Sequence, residues 1–261
     1  MPSSKPSKSG RRLVKFATYL LSVAACAPVS DEPPPNSRPT ELLVSAAASL
    51  ADVFAEIGSA FEEAHPGVRV HLNLGSSAAL RQQVLEGAPV DVFATADTFN
   101  MDQVAEQGEV ATEPEIFARN QMEIAVPAGN PTLITGLGDF SEEDLLIGLC
   151  AESAPCGVIA REVLENAGVV ASIDSNEPDV RALLTKVGGG DLDAGIVYVT
   201  DVLSSSEVEG LEIPPNVNVS TDYPIAVLAD GPNTATAALF VEFVLSEQGR
   251  AILDGYGFSS P

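Results

Sequence analysis

Tryptophan is absent from the 261-residue chain, histidine occurs twice and cysteine three times, and only 13 residues are basic against 37 acidic ones. Each shortage removes a class of function. At a net charge of −24 there is no basic stripe to neutralise phosphates, which excludes nucleic acid as a partner. His65 precedes a Pro66-Gly67 break and His71 sits in a strand-like alternation, so neither offers an oriented base for a Ser/His/Asp set, and no Gly-x-Ser-x-Gly elbow occurs. Gly188-Gly189-Gly190 lacks the Lys-Ser/Thr of a phosphate loop and reads as a helix stop. The many carboxylates read as a solvated surface rather than as acid–base pairs. Beyond the first 25 residues no apolar run is long enough to cross a bilayer, so the body is expected to be soluble.

What is present begins with an export leader, residues 1–25. Lys5, Lys8, Arg11, Arg12 and Lys15 form a basic start, Phe16 to Ala25 a short apolar core, and Val23-Ala24-Ala25-Cys26 looks like a bacterial lipobox with Cys26 as the lipidated residue. The alternative is an ordinary cleavage site that happens to lie beside a cysteine. Residues 26–39, with Pro28, Pro33, Pro34, Pro35 and Pro39 among polar neighbours, read as an extended tether. Removing the leader's five basic residues from a net charge of −24 leaves −29 on the mature chain. An anionic ligand would meet that field as repulsion, so its affinity must come from short-range dipoles. Only Cys150 and Cys156 remain after Cys26. A close pair in an exported protein is expected to be a disulfide, two buried thiols being the alternative.

The mature body alternates strand and helix. Leu42 to Val44 reads as a strand, and Ser49 to Ala64 has helical spacing at Leu50, Val53, Phe54, Ile57 and Phe61. Strands at Val68 to Leu74 and Val90 to Ala94 enclose a helix after Ser77. A second unit of the same grammar starts near Asn120. Its strands are Met122 to Val126, Leu145 to Leu149 and Ala194 to Val199, and its helices follow Gly157 and Val180. Tyr223 to Leu228 returns as a strand, and helices at Thr234 to Leu245 and Gln248 to Leu253 close the chain. This order predicts an α/β protein with a mainly parallel sheet, in two lobes joined by crossing strands. One lobe spans residues 40–119 with 226–261, the other 120–225, and a cleft lies between them.

The helix starts are the candidate site. Ser49 has Asp52 three residues on, a capping-box spacing, so it is expected to be an N-cap. Ser76 and Ser77, Pro155-Cys156-Gly157 and Pro178-Asp179-Val180 open three further helices. Strand-to-helix turns at the carboxyl ends of strands define the ligand crevice of open α/β sheets, and helix N-termini there suit an oxyanion. Any one such serine is an ordinary cap, and four turns do not identify the anion.

Ala46-Ala47-Ala48-Ser49-Leu50, Gly75-Ser76-Ser77-Ala78-Ala79-Leu80 and Gly87-Ala88-Pro89-Val90-Asp91-Val92-Phe93-Ala94 resemble the periplasmic molybdate-binding family of ABC transporters. So do Asp179-Val180-Arg181, Gly195-Ile196-Val197-Tyr198 and Tyr256-Gly257-Phe258, in the same order over nearly all of the mature body. The resemblance implies a type II periplasmic-binding fold of two α/β lobes. It implies no cofactor and no enzymatic activity, but a monomer that binds molybdate or tungstate and delivers it to a membrane permease. It places the ligand on hydroxyls of Ser49, Ser77 and Tyr198 and on backbone N–H groups near Ser49, Ser77, Cys156 and Val180. Cys156 departs from many relatives, which carry a small apolar residue there. Neutral donors alone would satisfy a fully ionised oxyanion, whereas hydrogen phosphate needs an acceptor for its proton. Sulfate or another oxyanion on the same fold is the alternative. An exported hydrolase is a weaker one, and iron would need more ligands than Tyr198.

Overall fold

The computed structural model describes residues 38–261. The leader, Cys26 and nearly all of the tether lie outside the described residues. The helix expected from Ser49 is preceded by a tight turn. β1 (Thr40–Ala47) runs into a 3-10 turn (Ala48–Leu50) and then α1 (Ala51–Ala64). Val53, Phe54, Ile57 and Phe61 bury one face of α1, with Phe61 edge-on to Phe240 at 5.2 Å. Burying each such ring contributes about 2–3 kcal/mol. Pro66-Gly67 ends the helix, and β2 (Val68–Gly75), α2 (Ser77–Leu85) and β3 (Val92–Ala94) follow. α3 (Thr98–Glu106), capped by the Asp97 carboxylate on the Asn100 N–H, has no counterpart in the sequence reading.

β4 (Glu115–Pro127) is much longer than the strand expected at Met122 to Val126. After it come β5 (Ile147–Cys150), α4 (Pro155–Ala167), β6 (Ser175–Glu177), α5 (Val180–Gly188), β7 (Ala194–Tyr198), α6 (Val199–Leu203) and β8 (Val208–Glu212). β9 (Ser220–Val227), α7 (Thr234–Leu245) and α8 (Glu247–Gly255) complete the chain. The strands lie in the order β2-β1-β3-β9-β4-β7-β5-β6, with β8 on β4. β1 pairs parallel with β2 and β3, and β5 with β6 and β7. The expectation of a mainly parallel sheet holds at the two ends only. β9 and β4 are antiparallel to each other and to their outer neighbours, because both run the length of the junction rather than returning through a helix.

Asp91, one of the motif residues, has a structural task. Its buried carboxylate accepts the N–H groups of Leu43 at 2.8 Å and Asn233 at 2.7 Å, tying β1 and the start of α7 to the residue before β3. Tyr223 on β9 is fully buried among Phe117, Tyr198 and Phe258, all edge-on within 6.3 Å. Phe258 reaches it because the preceding Gly257 takes φ +87°, where a Cβ would also strike the Leu203 side chain at 2.5 Å.

Candidate functional site

The carboxyl ends of β1, β2, β6 and β7 converge on one small cavity. Its lining includes Ala48, Ser49, Ser77, Cys156, Val180 and Tyr198, so all five residues named from the sequence meet there. Each is less than 7% exposed, and the cavity measures about 10 Å3. That is far below the roughly 300–1,000 Å3 of pockets for organic ligands, so the closed walls suit only a compact inorganic group and must ease apart to seat even that. A larger groove of about 500 Å3, lined among others by Arg81, Asp97, Glu152 and Asp222, contains none of the five. Its carboxylates disfavour an anion, so the small cavity is the candidate site.

Ser49 is not the N-cap that its spacing suggested. The helix enters through the 3-10 turn, no side chain caps it, and the Ser49 hydroxyl instead meets the Tyr223 hydroxyl at 3.0 Å. Ser76 is the cap of α2, accepting the Ala79 N–H at 3.3 Å, which leaves Ser77 free to face inward. The Ser77 oxygen accepts the Ala96 N–H at 3.0 Å, so its own proton is available to a ligand. Thr221 donates to the Ala96 carbonyl at 2.7 Å and fixes that loop from its other side.

At α5 the Asp179 carboxylate caps the N–H groups of Arg181 and Ala182, both at 3.0 Å, and the Val180 N–H is left over. At α4 Pro155 occupies the first helical position, where a missing N–H costs nothing. Among the described residues the N–H groups of Ser49, Ser77, Cys156 and Val180 take no protein acceptor. These are the orphan donors that every helix start leaves.

Cys150 and Cys156 are disulfide-bonded, with Cα atoms 5.8 Å apart. Arg161 braces the same loop, donating from one nitrogen to the Cys150 and Gly157 carbonyls, each at 2.9 Å.

The Tyr198 hydroxyl is buried without a hydrogen-bond partner among the described residues. Burial, with Tyr223 and Asp201 nearby, holds its phenol well above the ordinary range, and burial raises Tyr223 too. Both therefore stay protonated as donors. No lining residue is Lys, Arg or His. Asp179 is the one carboxylate in the lining, and its Oδ1 is engaged with helix N–H groups.

Sequence reasoning missed Tyr223 and Asp201. Asp201, on α6, accepts the Tyr198 N–H at 3.2 Å and is 1% exposed. Burial pushes its carboxyl up to about 7, against the opposing pull of Arg181 and the Tyr198 N–H. Asp201 carries a local signal, standing three residues after Tyr198 where a carboxylate accepts the N–H at a helix start, whereas nothing in the local sequence marks Tyr223. Among the described residues no group of three or more His, Cys, Asp or Glu is placed to hold a metal ion.

Residues 42–259 match the family described as bacterial extracellular solute-binding protein. The chain is 38% identical over 249 residues to the molybdate-binding protein ModA of Mycobacterium tuberculosis, covering 94% of this chain and 95% of that one. It is 29% identical over 230 residues to ModA of Escherichia coli, covering 84% and 89%. Among solved structures, the periplasmic molybdate-binding protein of Azotobacter vinelandii superposes with TM-score 0.75 at 20% identity, over 84% of this chain and 99% of that one. The sulfate-binding protein SubI of Mycobacterium tuberculosis superposes with TM-score 0.76 at 18% identity, over 85% and 87%. At such identity these last two establish the two-lobe periplasmic-binding fold and leave the solute open.

Proposed function

Because the chain belongs to the bacterial extracellular solute-binding protein family, we infer that it is the substrate-binding component of a molybdate ABC transporter. It is a solute-binding protein and not an enzyme. Molybdate or tungstate is held in the small cavity by the hydroxyls of Ser49, Ser77 and Tyr198 and by the N–H groups at Ser49, Ser77, Cys156 and Val180. The observation that carries this reading is the unpartnered Tyr198 hydroxyl, buried in a cavity that otherwise offers donors. A buried polar group without a partner costs about 1–3 kcal/mol, which an accepting oxyanion would remove. The lobes are residues 40–119 with 226–261, and 120–225. The protein works as a monomer that delivers its solute to the permease.

Calorimetry of the unlipidated domain with molybdate, tungstate, sulfate and phosphate tests the assignment. Molybdate and tungstate are expected to bind far more tightly than the other two. Tyr198→Phe, which removes only the hydroxyl, is expected to weaken molybdate about tenfold or more. Sulfate binding as tight as molybdate's would refute the solute while leaving the fold untouched.

The family is extracellular, and no helix among the described residues is long and apolar enough to cross a membrane. The lipobox-like Val23-Ala24-Ala25-Cys26 supports attachment through a lipid on Cys26, whose surroundings lie outside the described residues. Cys26→Ser is expected to move the protein from the membrane fraction to the soluble fraction. Unchanged fractionation would place the anchor elsewhere.

A further inference from the structure

The five cavity residues are buried, so a solute reaches them only when the walls part. One side chain spans those walls from outside. Arg181 follows Val180 on α5, and its guanidinium crosses to the 3-10 turn before α1. There Nε donates to the Ala48 carbonyl at 3.4 Å and Nη2 to the Asp52 carboxylate. Nη1 donates to the Ser204 hydroxyl at 2.9 Å, and Nε lies 3.9 Å from the buried Asp201 carboxylate. Ala48 precedes Ser49, and Asp201 holds the Tyr198 N–H. A single planar group is thus bonded next to the Ser49 wall while its own backbone carries the Val180 wall. The fixed fork of an arginine suits such spread contacts, which the single compact ammonium of a lysine would not span.

We propose that Arg181 is a positioning residue, a clasp that joins the two walls of the cavity and sets how long the bound anion stays. This rests on the solute reading above and adds to it a group that does not touch the solute. Arg181 is 28% exposed on its side chain and Asp52 50%, so the clasp is partly solvated and can open. Breaking it does not remove a donor to the anion. It removes a contact of the closed cavity, and among variants of one site such losses appear mainly in dissociation.

Stopped-flow kinetics with molybdate on the parent, Arg181→Gln and Asp52→Asn tests the proposal. Both variants are expected to release the anion about tenfold faster, with association changed by less than about threefold. A charge exchange, Arg181→Asp with Asp52→Arg, is expected to slow release again relative to Arg181→Asp alone, which a merely structural role would not produce. Small-angle scattering of the anion-free protein supplies a readout without solute, with Arg181→Gln expected to be more expanded than the parent. A parent that binds none of the oxyanions overturns the solute reading and the kinetic role with it. A parent that binds, beside an Arg181→Gln variant with unchanged release and unchanged dimensions, overturns the clasp alone.

Discussion

A Gly157→Ala variant is expected to melt about 10 °C or more below the parent, if it folds at all. A Cβ at this position would lie 2.0 Å from the Ala151 carbonyl oxygen and 2.6 Å from that of Cys150. Both obstacles are backbone atoms, and both belong to the loop closed by the Cys150–Cys156 bridge and braced by Arg161. Neither can turn aside as a side chain would, so α4 or the loop must move. A forced shift of this kind costs about 3 kcal/mol, and it displaces the Cys156 N–H from the cavity. Gly255→Ala, at the end of α8 with nothing near the new methyl, is the control and is expected to leave the melting temperature unchanged or slightly raised. Thermal melts of both decide the matter, and a Gly157→Ala protein that melts with the parent would show the loop to be pliable.

Asp201→Asn is expected to stabilise the protein above pH 7 and to do almost nothing at pH 4. The carboxyl titrates at about 7 in the folded chain because burial disfavours its charge, and near its ordinary value, about 3.9, when unfolded. Between those values the folded form holds a proton that the unfolded form has released. The group's contribution is therefore fully present below about pH 4 and is lost as pH rises through about 7. Asparagine keeps an acceptor for the Tyr198 N–H and never ionises, so the variant is expected to gain about 2–4 kcal/mol over the parent at pH 8. Subtracting parent from variant at each pH cancels the other carboxylates. The groups facing Asp201 are Arg181 and the Tyr198 N–H, which favour its charge, and Asp52 and Asp179, which oppose it. An anion beyond Tyr198 would also oppose it, so the parent is expected to bind its solute less tightly as pH rises through 7, with the variant flat. Urea denaturation at pH 4, 6 and 8 gives the stability half, and a difference independent of pH would mean that Asp201 ionises normally in the folded chain.

The contrast between these residues shows what a sequence carries. Ser77, Cys156 and Val180 sit at helix starts that local pattern marks, whereas Tyr198 and the ligand set as a whole came from the family resemblance. Which donors a helix start leaves unpaired follows from helix geometry alone. Ser49 shows the limit of the same logic, since its capping-box spacing was real but its hydroxyl went to Tyr223, 174 residues away. Gly157 and Arg181 are equally opaque, because each owes its role to a carbonyl or carboxylate that only the folded chain brings near, and the burial of Asp201 is no more legible although its bond to the Tyr198 N–H is local. α3 was missed for a different reason. Its buried residues are Asn100, Met101 and Val104, too few and too polar to announce a helical face.

β4 and β9 have a consequence that reaches past the site. β4 pairs with β9 through Glu115–Gln121 and with β7 and β8 through Met122–Pro127, so one strand is an integral part of both ends of the sheet. β9 is likewise bonded both to β3 and to β4. Neither end can lose its order without stripping the other of a strand, and the described body is therefore expected to denature as one cooperative unit. A solute at the junction acts on that whole equilibrium by mass action, adding about 2.7 kcal/mol when its free concentration is a hundred times Kd. Without its solute the body is therefore expected to unfold more readily, at both ends of the sheet at once, and with solute in excess less readily.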